Sequence, residues 1–405
     1  MTQFYRVVEH TVYGSHSREY VSATANGDAD RPRLAVKQYI PLDNPDPQPG
    51  DVTIIGAHAN GFPKELYEPL WDDLYKLVSK NGIRIRAIWI ADMWNQGQSG
   101  VLNEKILAND PSWFDNARDL MALINEKREE MPHPLVGVGH SMGAAQLTLL
   151  ALTNPRLFRS LVLIDPVITT STSGMGPAIA STFRRDIWPS GADAAAKFRQ
   201  AKFYQAWDSR VLDLWIEHGL RRVPTELYPA ERDGDERVTL TTTKHQELFT
   251  FLRAGYRGDD ELPDRDPSLV GQAPIYPFYR PEPLYAFKRL PELRPSVLYV
   301  FGAQSDMSGP DERREKMERT GTGVGGSGGA PKGRVKEVVL DCGHLVAMER
   351  VPQCAEAIAG WLSGELELWR RERERFEERR RGKKRIELIA VDEQWKREIK
   401  PKSKI

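Results

Sequence analysis

Residues 135–143 read Leu-Val-Gly-Val-Gly-His-Ser-Met-Gly. The first five form a short apolar run, as expected of a buried strand, and Ser141 then stands in a G-x-S-x-G frame. A strand-to-helix turn this tight forces its central residue into strained backbone. Glycines two positions to either side, Gly139 and Gly143, let neighbouring chain pass where a Cβ would clash. Ala144 and Ala145 follow, small enough for the ensuing helix to pack closely. The arrangement predicts a nucleophile, with the Ser141 hydroxyl projecting from the carboxyl edge of a sheet.

A serine hydroxyl needs a base, and histidine titrates in the useful range. The chain has eight histidines. With this elbow the order along the chain is serine, acid, histidine, so only His218, His245 and His344 qualify. His218 and His245 sit in helical or irregular stretches, with no strand to aim them at the sheet edge. His344 lies in the loop Asp341-Cys-Gly-His344, after the strand pattern Val335 to Leu340 and before a helix from about Pro352 to Trp369. It is the expected base. Two aspartates follow strands. Asp165 closes RSLVLID (159–165) and Asp306 follows VLYVFG (297–302). The common form of the later loop carries its acid three residues past the glycine, which here is Ser305, so Asp306 is one step out of register. Asp165 is the preferred acid and Asp306 the alternative. Cys342 lies two residues from His344, but adjacent loop positions point apart, so a cysteine nucleophile is not expected.

Acyl transfer also needs two N–H groups aimed at the oxygen that gains charge. Met142 supplies one by position. The other is expected from the loop after the strand Val52 to Ala57, where Gly61 permits close approach and either Asn60 or Phe62 presents the amide. His58 precedes the nucleophile and is expected to brace this loop.

Taken together, HANGFPKELYEPLWDDL (58–74), DMWNQGQSGVLNE (92–104), PSWFDNARDL (111–120), GHSMGAAQL (139–147), LVLIDP (161–166) and CGHLVAMERVP (342–352) resemble the fungal peroxisomal branch of the α/β-hydrolase superfamily. That branch includes the acyl-CoA hydrolase of mycophenolic acid biosynthesis, enzymes of host-toxin pathways and a peroxisomal lipase. The resemblance spans roughly residues 30 to 365. It implies an α/β-hydrolase fold, with Ser141 as nucleophile and His344 as base. It also implies an acid after the strand that follows the nucleophile helix, which favours Asp165. The implied activity is hydrolysis of an acyl thioester or ester through an acyl-enzyme, with acyl-CoA as the expected substrate. A lipase or carboxylesterase and a catalytically silent binding protein are the alternatives. No cofactor and no metal are implied.

The chain ends Ser403-Lys404-Ile405, one aliphatic change from the S-K-L address read by the peroxisomal import receptor. A peroxisomal matrix location and that receptor as partner are therefore expected. The amino terminus lacks the basic and apolar regions of a secretory signal, and no apolar run is long enough to span a bilayer. Two cysteines are too few for a disulfide framework. Lysine plus arginine and aspartate plus glutamate number 57 each, so no global field recruits nucleic acid. The imbalance is local: residues 370–385 hold ten basic and four acidic side chains. Four-apart pairs, Glu367 with Arg371 and Glu377 with Arg381, suggest a solvated helical extension. A membrane- or acid-binding tail is the other reading.

Strand patterns at 34–40, 52–57, 84–91, 135–139, 160–165, 296–302 and 335–340 alternate with helical ones, the signature of a mostly parallel sheet covered on both faces. The chain divides into a first core part (1–167, with N-terminal strands), an inserted helical cap or lid after the sixth strand (168–294), a second core part (295–369) and the charged extension (370–405). The insertion holds 16 of 36 aromatic residues. Phe203, Tyr204, Trp207, Trp215, Phe249, Phe251 and Tyr256 are candidates for an acyl tunnel wall, or simply the cap's own core. Residues 274–295, rich in proline, read as a return linker. In the helix starting near Ser112, the Asp115, Arg118 and Asp119 cluster reads as a surface ion pair. Gly321 to Gly326 satisfies G-x-G-x-x-G without the strand before it or the helix after it that a dinucleotide site needs. A surface loop is expected there, or a backbone nest for coenzyme A phosphates assisted by Lys332 and Arg334.

Overall fold

Eight strands form one sheet: β1 (Tyr5–Tyr13), β2 (Arg33–Pro41), β3 (Val52–Ala57), β4 (Ile85–Ala91), β5 (Leu135–His140), β6 (Ser160–Ile164), β7 (Ser296–Gly302) and β8 (Val335–Leu340). Their spatial order is β1-β2-β4-β3-β5-β6-β7-β8, and β3 to β8 run parallel. The contacts β1 with β2 and β2 with β4 are antiparallel. This is a computed structural model describing residues 2–170, 174–255 and 278–399.

Successive residues of the central strands feed opposite cores, as a two-residue period requires. Ile54, Val136, Val138, Val162, Ile164, Leu298 and Val300 face one core; Ile55, Leu135, Leu161, Leu163, Val297, Tyr299 and Phe301 face the other. Each such buried side chain contributes about 1.5–3 kcal/mol relative to exposure. The principal helices linking the early strands are α1 (Glu68–Lys80), α2 (Trp113–Glu126) and α3 (Met142–Thr153), with a short helical turn at Gly97–Leu102 before α2. Helix α1 presents Leu70, Trp71, Leu74 and Val78 to the first core; α3, between the layers, is almost wholly buried. Strand β1 leaves no strand pattern in the sequence because it is an edge strand, and only Tyr5 and Val12 are buried along it.

Between β6 and β7 the chain forms α4 (Met175–Phe183), α5 (Gly191–Gln200), α6 (Ser209–His218), α7 (Lys244–Phe251) and α8 (Glu282–Arg289). This insertion also carries a small antiparallel sheet from Ile187–Trp188, Val238–Leu240 and Leu220–Arg222, which a purely helical reading omits. Strands of two or three residues are too short to leave a period. The stretch read as a linker is not one over its described part: α8 packs Ala286 and Phe287 into the second core, and Arg280 and Glu282 are fully buried. Tyr256, a tunnel candidate, and the terminal tripeptide lie outside the described residues. After β7 come α9 (Pro310–Arg319) and, past β8, the 30-residue α10 (Val351–Arg380), followed by two short helices, α11 (Arg385–Ile389) and α12 (Glu393–Glu398). Among the described residues, no helix is long and apolar enough to cross a membrane.

Candidate active site

Ser141 sits between β5 and α3 at φ 57° and ψ −116°, a conformation that side-chain-bearing residues rarely adopt. Its N–H donates to the Ile164 carbonyl at 2.9 Å, which ties the turn to the end of β6. A Cβ on Gly139 would lie 2.7 Å from the Ala144 nitrogen, and one on Gly143 would collide with the Ala57 carbonyl at the end of β3. The two glycines therefore serve the close approach of α3 to β5 and β3.

The strained turn places Ser141 Oγ 2.7 Å from His344 Nε2, and His344 Nδ1 lies 2.5 Å from Asp165 Oδ2. A carboxylate only accepts, so Nδ1 carries the ring proton and Nε2 is free to accept from the serine hydroxyl. Asp165 is fully buried and also holds a positive φ, 37°. Its carboxylate accepts the Gly302 N–H at 3.1 Å and the Ser305 hydroxyl at 2.5 Å. Burial alone raises its pKa, but the hydrogen bonds from His344 and Ser305, with the electrostatic pull of the adjoining imidazole, outweigh that and leave it below the usual carboxylate range. Asp306 is exposed and makes no hydrogen bond to His344 among the described residues. Ser305, in the position where the later loop usually carries its acid, instead donates to Asp165. The one-residue offset of Asp306 has a structural counterpart in that exchange.

The loop after β3 is held from outside. Tyr67 Oη accepts the Ala59 N–H at 2.8 Å, and Gln96 Oε1 accepts that of Gly61 at 2.8 Å. The Phe62 amide makes only a 3.3 Å turn bond to the Ala59 carbonyl, and the Asn60 amide has no acceptor among the described residues. The two amides expected as donors are thus the two left weakly bound or unbound. Gln96 Nε2 reaches Asn60 Oδ1 at 2.6 Å, and Asn60 Nδ2 reaches the Glu247 carbonyl of α7 at 3.0 Å. His58 braces the same loop, accepting the Met93 N–H and donating to the Ala59 carbonyl, both at 2.8 Å.

His140, the histidine inside the motif itself, belongs to a second buried chain. Its Nε2–H donates to the His344 carbonyl at 3.0 Å, so its Nδ1 accepts from the Tyr67 hydroxyl at 3.0 Å. One run of bonds therefore links the Ala59 amide, Tyr67, His140 and the backbone of His344. Burial, with His344 alongside, lowers His140 to about 4, so it is neutral at pH 7. Nothing in the sequence marks Tyr67, Gln96 or this use of His140, because their partners lie 8 to 204 positions away.

Other expected features divide. Trp207 and Trp215 are buried in the first core, which runs unbroken from the sheet into the insertion; Tyr204 packs on both, while Phe203 is exposed. Phe62 touches both tryptophans, with ring centroids 5.5 and 5.8 Å apart, so this aromatic cluster abuts the amide loop. Cys342 is buried, and burial pushes its thiol up to about 12, unsuited to a nucleophile. The Asp115 and Asp119 cluster is not on the surface: both carboxylates are fully buried, and Arg18 from the segment after β1 grips Asp119 at 2.7 and 2.9 Å. In the glycine-rich loop, the amides of Gly321, Gly323 and Ser327 donate to the carbonyls of Leu290, Pro291 and Leu293, and Arg334 pairs with Glu365. A phosphate nest is therefore not available there, since the chain's own carbonyls occupy those donors. No cluster able to hold a metal occurs among the described residues.

A model of the alpha/beta hydrolase family matches residues 54–357. The type I acyl-CoA thioesterase mpaH′ of Penicillium brevicompactum is 42% identical, over 99% of this chain and 96% of that relative. A type I acyl-CoA thioesterase mpaH from Penicillium roqueforti is 40% identical over 98% and 96%. Among solved structures, the peroxisomal alpha-beta-hydrolase Lpx1 of Saccharomyces cerevisiae superposes with a TM-score of 0.70 at 17% identity, over 90% of each chain, a likeness of fold. The strand order, the turn at Ser141 and a family match across three quarters of the sequence agree: the chain belongs to the alpha/beta hydrolase family.

Proposed function

We propose that this hydrolase is a serine enzyme that cleaves acyl-CoA thioesters through an acyl-enzyme. One observation carries the reading: Ser141 Oγ, the His344 ring and the Asp165 carboxylate form a continuous hydrogen-bonded line of 2.7 and 2.5 Å. His344 Nε2 takes the serine proton as Oγ attacks the thioester carbonyl carbon. The oxygen that gains charge is received by the Met142 N–H and an amide of the loop containing Asn60 and Phe62. Collapse of the tetrahedral intermediate breaks the carbon–sulfur bond, and the departing thiolate takes the proton from Nε2. Water, deprotonated by the same nitrogen, then releases the acid and restores Oγ–H. Asp165 keeps the ring in the required tautomer and balances the imidazolium. Full-length similarity to two fungal acyl-CoA thioesterases supports the thioester over a plain ester. The proposed catalytic core comprises 1–167 and 295–369, with 168–294 as the lid and 370–405 as the extension. The tripeptide Ser403-Lys404-Ile405 supports a peroxisomal location through the import receptor.

The test is acylation of the purified protein by a panel of CoA thioesters and plain esters, read by mass on Ser141, alongside labelling by a fluorophosphonate probe. Ser141→Ala is expected to abolish labelling, and Ser141→Ala or His344→Ala to lower turnover by about a millionfold. Asp165→Asn should cost about ten-thousandfold and Asp306→Asn little. Preference for water-dispersed lipid esters over thioesters would make the chain a lipase or carboxylesterase. No labelling of the unsubstituted protein would favour a silent binding protein.

A further inference from the structure

Past Glu377, among the described residues, no hydrogen bond or ion pair joins the chain to the body of the molecule. Up to that point α10 balances its own charge: Arg371 meets Glu367 at 2.9 Å, Arg373 meets Glu377 at 2.8 Å, and Arg159 from the body meets Glu372 at 2.5 Å. The pairing of Glu377 with Arg381 read from spacing does not form. The helix ends at Arg380, and the Arg381 amide closes it on the Glu377 carbonyl. From 379 to 385, six of seven residues are cations and none is acidic: Arg379, Arg380, Arg381, Lys383, Lys384 and Arg385. No carboxylate among the described residues pairs with any of the six, whereas the next cation along, Lys396, has Glu393 at 2.6 Å. Immediately after this cluster come Ile386, Ile389, Val391, Trp395 and Ile399, each 55–62% exposed. With Phe376 they make six of the seventeen large exposed apolar residues among those described, gathered within 24 positions. Hydrogen bonds order the segment from within, through Ala390 to Ile386, Lys396 to Asp392 and Ile399 to Trp395.

We propose that residues 379–399 are a docking segment for a bilayer surface that carries anionic phospholipid headgroups. Two features at one place select that partner. The uncompensated cations attract a negatively charged plane, and exposed aliphatic side chains with a tryptophan next to them have somewhere apolar to go once they reach it. A nucleic acid would satisfy the cations and leave the isoleucines in water. A second copy of this chain would bring like charges together. The inference is independent of the catalytic reading and uses none of its residues.

The test is co-sedimentation of the full-length protein with sucrose-loaded vesicles, either pure phosphatidylcholine or containing about 30% phosphatidylserine, at about 0.1 M salt. The expected result is pelleting with the anionic vesicles only, weakened about tenfold or more near 0.5 M salt. Replacing the six cations together by Gln should abolish it. Trp395 should report insertion as a blue-shifted emission that is lost in Trp395→Phe, and Ile386→Ser with Ile389→Ser should weaken pelleting while leaving it salt-sensitive. These variants change no contact with the body, so thermal unfolding should not move. Equal pelleting with neutral vesicles, unchanged pelleting of the six-fold variant, or retention by an oligonucleotide with no vesicle binding would each overturn the proposal.

Discussion

Ser141 and Asp165 are the only residues other than glycine with positive φ among those described, and they are two members of the hydrogen-bonded line through His344. Such backbone costs about 1–3 kcal/mol per residue and persists only where surrounding structure over-determines it. Here the determinants are visible. Ser141 is pinned by Ile164 and by the close passage of α3, and Asp165 by the Val300 carbonyl and the Gly302 amide. Tyr67 adds a constraint of a different kind, because its single hydroxyl both accepts from the Ala59 amide and donates to His140. In Tyr67→Phe both partners lose their bond in a dry interior, at a cost of about 1–3 kcal/mol each. We predict a kcat about tenfold lower with KM little changed, because the loop and the His344 backbone are displaced without altering the substrate contacts made elsewhere. Steady-state kinetics checks this, and an unchanged kcat would dismiss Tyr67 as a positioning residue.

At the scale of an element, β5 ends in a histidine that must stay neutral to do its work. An imidazole ordinarily titrates near 6.5, and burial brings His140 to about 4. Between those values the unfolded chain binds a proton that the folded one refuses. Stability is therefore fully present above pH 6.5 and lost as pH falls toward 4, by roughly 3 kcal/mol. Asp165, held below its ordinary range, adds a further loss at lower pH still, as its carboxylate takes a proton. Melting temperature measured from pH 7.5 to 4.5 should decline, and His140→Gln, which keeps a donor for the His344 carbonyl and has no titrating ring, should flatten the decline. The strands that carry this chemistry were legible from short apolar runs, with Val52–Ala57, Ser296–Gly302 and Val335–Leu340 found at their expected limits. The edge strand β1 and the two- and three-residue strands of the insertion were not, because neither gives a full period of buried positions.

Across the whole molecule, the insertion is sewn to the start of α2 by fully buried polar groups. Arg280 donates to the carbonyls of Pro111 and Phe249 and to Glu282, whose carboxylate in turn accepts the Ser112 hydroxyl and the Trp113 amide at the start of α2. Arg280→Met would strand the Glu282 charge in the interior and is predicted to destabilise the fold by about 3–5 kcal/mol, measurable by urea unfolding. The double change Arg280→Met with Glu282→Gln should recover part of that loss; no recovery would mean that the pair is not what joins the two parts. What the sequence by itself determined is local: the turn at Ser141 and the strands that feed it. Those follow from backbone sterics and hydrophobic period, which act over a few residues. Which aspartate meets the His344 ring, that Ser305 fills the place of a later acid, that Gln96 and Tyr67 hold the amide loop, and that the six cations from Arg379 to Arg385 meet no carboxylate among the described residues were decided only in the tertiary structure. Hydrogen bonds and ion pairs between residues tens to hundreds of positions apart depend on how the layers stack, and no sequence spacing records that.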